Sequence, residues 1–154
     1  MPHCQWQQSI FEPDIMARVS KELSEEILKD QKTYKFGLIA VSGISGVAIG
    51  SVVSFITHIP LAVIRKDSDR ERAGLYNVEY TDKNLLTWNY CFLDDLIDTG
   101  KTLRRVIDRL EEKDERFTLS KVYLYSSGYR EKEGYIDSKL DDIFNVPYFR
   151  CETP

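Results

Sequence analysis

The sequence predicts an α/β domain with a central, mostly parallel sheet flanked by helices. Three observations carry that expectation. Short apolar runs alternate with segments of helical period from residue 36 to residue 125. Two strand-to-helix junctions are glycine turns, Ser42-Gly43-Ile44-Ser45-Gly46 and Asp98-Thr99-Gly100-Lys101-Thr102. A chain of 154 residues is long enough for one such domain with a sizeable core and too short for two ordinary ones, so residues 1–154 are read as a single domain. In sheets of this kind ligands lie beyond the carboxyl ends of the strands, which puts both glycine turns on the binding rim.

In chain order, residues 1–11 are polar apart from isolated aromatics, Trp6 and Phe11, and show no period. Over residues 14–30, Ile15, Val19, Leu23 and Ile27 recur every four positions beside Met16 and Leu28, the stripe of an amphipathic helix. Lys21, Glu22, Glu25 and Lys29 form its solvated side. Residues 36–41 read as an apolar strand, 47–55 as a buried helix closed before Pro60, and 61–64 as a second strand. The run Arg65-Lys66-Asp67-Ser68-Asp69-Arg70-Glu71-Arg72 has no apolar period. It is either a solvated loop, the usual meaning of such a run, or a lid whose first cations, Arg65 and Lys66, meet an anionic leaving group at the rim. Ala73-Gly74 supplies hinge chemistry, and residues 76–80 return as a strand. Residues 88–93 form a further apolar strand, Leu103, Val106, Ile107 and Leu110 mark a helix, and 122–125 form the last strand. Tyr129, Tyr135, Phe144, Tyr148 and Phe149 in the tail either stack on a planar ligand or, as is commoner, pack a small subdomain.

Chemistry is concentrated in residues 90–102, where an apolar run ends in Asp94 and Asp95 and then in a polar turn containing Thr99, Gly100 and Thr102. The first N–H groups of the helix that follows have no partner within it and point back into the turn, which makes an anion cradle. Two acids repel phosphate but suit vicinal hydroxyls. A ribose 5-phosphate satisfies both demands, its hydroxyls donating to the carboxylates and its phosphate accepting from the turn and from the Thr99 and Thr102 hydroxyls. Gly100-Lys101-Thr102 imitates the end of a Walker A loop, but that motif needs glycine where Asp95 stands. The plainer alternative is a buried strand whose acids cap the next helix, with Asp98 as N-cap.

A net charge of -4 with pI near 5.3 argues against a nucleic-acid surface. No run is long and apolar enough to span a membrane, and the N-terminus has no secretory signal pattern. Cys4, Cys91 and Cys151 are far apart and odd in number, which suggests neither a disulfide framework nor a zinc site and makes the cytosol the expected compartment. Cys91 belongs to an apolar strand and reads as core. His58 reads as a helix-end residue without a chemical role.

With its apolar run, acid pair, two further residues and Asp-Thr-Gly-x-Thr loop, the stretch 90–102 resembles the phosphoribosyl-pyrophosphate (PRPP) signature of the type I phosphoribosyltransferases. That resemblance implies the family's α/β fold with a small hood formed by the terminal segments, PRPP and magnesium (Mg2+) as ligands, and a nucleobase acceptor, purine or orotate-like. It also implies a homodimer. Asp94 and Asp95 would serve the ribose hydroxyls and the metal, and Asp98, Thr99, Gly100, Lys101 and Thr102 would form the 5-phosphate loop. Ser42, Gly43, Ile44, Ser45 and Gly46 would form the pyrophosphate loop, and Arg65 and Lys66 would be the catalytic cations. Arg65-Lys66 followed by Tyr76-x-x-Glu79-Tyr80 is similar to the adenine and orotate branches. The first loop contains no Arg or Lys, unlike the adenine enzymes, and the tail lacks the purine-recognition pattern of the hypoxanthine-guanine branch. Two functions follow from the resemblance: phosphoribosyl transfer to a nucleobase, or a non-catalytic PRPP-binding regulatory or interaction module. A plain α/β interaction domain, with no PRPP affinity, is the third reading.

Overall fold

Helix α1 (Pro13–Tyr34) starts on a proline, which is tolerated in a first turn because the missing N–H would have no partner there. It runs one turn past the expected end. The Gln31 side chain both accepts from the Phe36 N–H (2.7 Å) and donates to the Phe36 carbonyl (3.0 Å), and Tyr34 stacks on the Phe36 ring at 5.5 Å. These contacts beyond the apolar stripe hold the last turn, and Lys35 ends it in the left-handed conformation.

The computed structural model describes residues 10–66, 78–81, 85–97, 99–125 and 145–151. The terminal segments expected to form the hood lie largely outside that set, since residues 1–9, 126–144 and 152–154 do, and so do Asp98 and residues 67–77 of the charged run and its return.

The strands are β1 (Leu38–Ser42), β2 (Leu61–Ile64), β3 (Val78–Glu79), β4 (Asn89–Asp94), β5 (Thr118–Leu124) and β6 (Tyr148–Arg150). They form one six-stranded sheet in the order β3-β2-β1-β4-β5-β6, parallel throughout except for β2 against β3. Helix α2 (Gly43–Thr57) carries the chain from β1 to β2 in one direction, and α3 (Lys101–Lys113) carries it from β4 to β5 in the other. The direction reverses between β1 and β4, and that is where such sheets bind ligands.

Both faces of the sheet are covered, which explains the unbroken apolar runs of its inner strands. Ile39, Val41, Cys91 and Leu93 face a cluster with Val19, Leu23 and Ile27 of α1 and Ile49 and Val53 of α2. Leu38, Ala40, Tyr90 and Phe92 face Leu103, Val106 and Leu110 of α3. Cys91 is core, as the sequence suggested, and His58 caps α2 in the left-handed conformation.

Two elements differ from expectation. Helix α2 begins at Gly43 rather than after Gly46, so most of the first glycine loop is helical. The tail contributes β6, which pairs with β5 and sets Phe149 6.1 Å from the Tyr123 ring. The helix over residues 47–55 was expected to be buried, yet Phe55 is 80% exposed, and Ile44 in the turn before that stretch is 75% exposed. Among the described residues only its sheet-facing side and the side against α1 are covered.

Candidate active site

The carboxyl end of β1 is tied to that of β2 by the buried Ser42 hydroxyl, which donates to the Ile64 carbonyl at 2.9 Å. This fixes where the chain leaves β2, and it leaves with Arg65 and Lys66. Gly43 follows with φ +75°, a conformation that favours glycine. A Cβ there would also sit 3.4 Å from Lys66 Cε and 3.6 Å from Nζ. The ammonium therefore lies against the backbone of the first turn, a place the sequence left without a cation.

On the neighbouring strand, Asp94 is the last residue of β4 and Asp95 the next; both are buried. Asp94 Oδ1 accepts from the Ser45 hydroxyl at 3.1 Å and from the Asp95 N–H at 2.9 Å, and Asp95 Oδ1 accepts from the Leu96 N–H at 2.7 Å. Burial, and then the charge of Asp95, push the Asp94 carboxyl well above the usual carboxylate range. Burial also raises Asp95. Two adjacent acids with this little solvent retain a proton, or else take up a cation or hydroxyl donors.

Past the acids, Gly100 is the N-cap of α3 with φ +75°. Its first helical residues, Lys101, Thr102 and Leu103, turn the helix N-terminus toward the same space as the acids. A cavity of about 270 Å³ joins these parts, lined by Ser42, Gly43, Ser45, Lys66, Asp94, Asp95, Thr99, Gly100, Lys101 and Thr102, with Leu96, Ile97 and Leu103 as its apolar wall.

Three expected site residues lie elsewhere. Gly46 faces the sheet, where a Cβ would come within 3.2 Å of both the Leu93 carbonyl oxygen and Val41 Cβ. Ile44 is on the outer side of α2. Arg65 donates through Nε to Glu79 Oε1 at 2.9 Å, with a second contact from its terminal nitrogen, and lines an adjoining groove of about 590 Å³ with Ile44. An ion pair this exposed is worth about 0–1 kcal/mol, which leaves the guanidinium free to exchange Glu79 for a stronger anion. Asp98 lies outside the described residues.

One contributor was not singled out from the sequence. Buried Tyr125, one residue past β5, donates its hydroxyl to the Ser45 carbonyl at 2.8 Å and its N–H to the Asp94 carbonyl at 3.3 Å. Burial holds its phenol well above the ordinary range, so it remains a donor. The only signal was its place at the carboxyl end of a strand.

Asp94 and Asp95 are the residues able to hold a divalent ion. Among the described residues no group of three or more His, Cys, Asp or Glu side chains is arranged to do so. The pair fits such an ion electrostatically, since a cation would relieve the repulsion and desolvation that raise its proton affinity.

The fold defines a class: a mostly parallel α/β sheet whose reversal point holds an acid pair on one strand end and a glycine turn at a helix N-terminus after it. This is the type I phosphoribosyltransferase fold. The orotate phosphoribosyltransferase of Francisella tularensis matches it with TM-score 0.65 and 15% identity, over 90% of this chain and 66% of that one. The adenine phosphoribosyltransferase of Saccharomyces cerevisiae matches with TM-score 0.63 and 15% identity, over 90% and 79%. The orotate phosphoribosyltransferase of Mycobacterium tuberculosis, solved with PRPP, matches with TM-score 0.60 and 10% identity, over 88% and 71%. The chain thus spans just under two thirds of the length of the Francisella enzyme. No protein-family model and no curated protein matches the sequence. Among the described residues no helix is long and apolar enough to cross a membrane.

Proposed function

We propose that the protein is a phosphoribosyltransferase that binds PRPP with magnesium and transfers the phosphoribosyl group to a nitrogen of a purine or orotate-like base, releasing pyrophosphate. The observation that carries this reading is one cavity walled on one side by two buried carboxylates and on the other by a helix N-terminal turn. The pair accepts from the ribose hydroxyls, and the turn from Thr99 to Thr102, with Asp98 before it, receives the 5-phosphate. Bound magnesium would neutralise pyrophosphate oxygens, with Asp94 and Asp95 as its protein partners and the remaining ligands from PRPP and water.

Displacement at C1 leaves positive charge on the sugar and negative charge on the departing pyrophosphate, so the protein's work is positional and electrostatic. Lys66 against the Gly43 backbone meets the leaving group. Arg65 joins it by exchanging Glu79 for pyrophosphate. Gly43 supplies the backbone of the first loop, Ser45 holds Asp94 through its hydroxyl, and Ile44 and Gly46 shape the loop. The neutral composition of that loop favours one other reading, a PRPP-binding module without catalysis. We place the protein in the cytoplasm as a homodimer. Incubation with PRPP, magnesium and a panel of purines and pyrimidines tests the reading: pyrophosphate release with one base supports the enzyme. PRPP binding without release supports the module, and the absence of both refutes the site.

A further inference from the structure

The two carboxylates are buried at the end of β4, and something must hold them in the orientation a ribose needs. The Ser45 hydroxyl does so directly, through its bond to Asp94 Oδ1. Ser45 is itself in the first turn of α2, an element that packs its side chains against β4. Tyr125 closes the bracket, with its N–H on the Asp94 carbonyl and its hydroxyl on the Ser45 carbonyl. It therefore spans the two elements whose separation sets the length of the Ser45–Asp94 bond.

We propose that Tyr125 is a positioning residue for the acid pair: its hydroxyl fixes the first turn of α2 so that the Ser45 hydroxyl stays on Asp94, leaving the rest of that carboxylate to the sugar. The proposal rests on the PRPP reading of the site. A purely structural tyrosine is available for comparison two residues earlier on the same strand. Neither tyrosine lines the cavity, but Tyr123 donates its hydroxyl to Asp30 Oδ2 of α1 at 2.7 Å, where Tyr125 donates to the Ser45 carbonyl beside the acid pair.

The test is calorimetric titration of PRPP with magnesium into the parent, Tyr125→Phe, Ser45→Ala, the double variant and Tyr123→Phe, each checked for folding by thermal unfolding. Tyr125→Phe and Ser45→Ala are each expected to weaken binding about twofold to tenfold, the yield of one net hydrogen bond. The double variant should be no weaker than the weaker single, because both act through one bond. Tyr123→Phe should unfold at lower temperature yet bind as the parent does. Parental affinity in Tyr125→Phe, losses that add fully in the double variant, or a Tyr125→Phe chain that does not fold would each overturn the proposal while the PRPP reading stands. A parent that binds no PRPP overturns that reading and this inference with it.

Discussion

Asp94→Asn separates what the acid pair does for the ligand from what it does to the fold. Asparagine keeps the shape and an oxygen able to accept from both the Ser45 hydroxyl and the Asp95 N–H. What it removes is one charged acceptor for a ribose hydroxyl or the metal, worth about 1.5–3 kcal/mol, or roughly 10- to 150-fold in PRPP affinity. The same change is expected to stabilise the ligand-free protein. The sign follows from the raised Asp94 carboxyl. Its folded-state value lies above its unfolded value of about 3.9, so the folded chain binds more protons over the interval between them. The stability this contributes is fully present below the unfolded value and is lost as pH rises through the folded one. Asparagine stays neutral throughout, so its advantage over the parent should be smallest near pH 4 and grow toward neutral pH. Urea unfolding across that range, beside titration with PRPP and magnesium at neutral pH, measures both effects. A variant that binds PRPP as the parent does, or whose advantage does not change with pH, would refute the site and the electrostatic account respectively.

Lys66→Ala is expected to weaken PRPP binding more than ribose 5-phosphate binding, since the ammonium at Gly43 is proposed to meet the pyrophosphate; equal losses in parallel titrations would count against that role. Gly100→Val places a β-branched side chain at φ +75° in the proposed phosphate turn. PRPP affinity should collapse in a chain that thermal unfolding shows to be folded, and a folded variant with parental affinity would remove the phosphate site. In Gly50→Ala the new Cβ would come within 2.6 Å of Val41 Cγ1, an overpacking worth about 1–3 kcal/mol, visible as a lower urea midpoint.

What the sequence disclosed was chemistry contiguous in the chain. The acid pair and the Gly100 turn lie within one window at one strand end, so a strand followed by a helix suffices to place them together. Gly43 and Gly46 look alike as residues, but only the first occupies a left-handed turn. Once the helix starts at Gly43, Gly46 and Gly50 fall one turn apart on its sheet-facing side, where Val41 leaves no room for side chains. Their four-residue spacing was the available signal, and it spoke for close packing. Contacts such as Tyr125 to Ser45, 80 residues apart, have no period to announce them. Strand β6 is three residues long and owes its existence to the edge of β5, which no local pattern encodes.

The site's geometry is a consequence of register. Ala40 stands level with Phe92 on β4 and with Ala62 on β2, and Asp94 with Leu124 on β5. Continuing each strand by the same steps brings Ser42, Ile64, Asp94 and Leu124 to one height. Gly43, Arg65, Asp95 and Tyr125 then emerge together above it. Left-handed glycine, cation, carboxylate and tyrosine thus share a rim although 82 positions separate the first from the last. Buried side chains alternate between two helix-covered faces, so a one-residue slip in any inner strand would drive its apolar side chains to the wrong face. The core that makes such a slip costly is therefore what keeps the rim of the candidate site level, and core substitutions in β1 or β4 would disturb the site through register before they touched it directly.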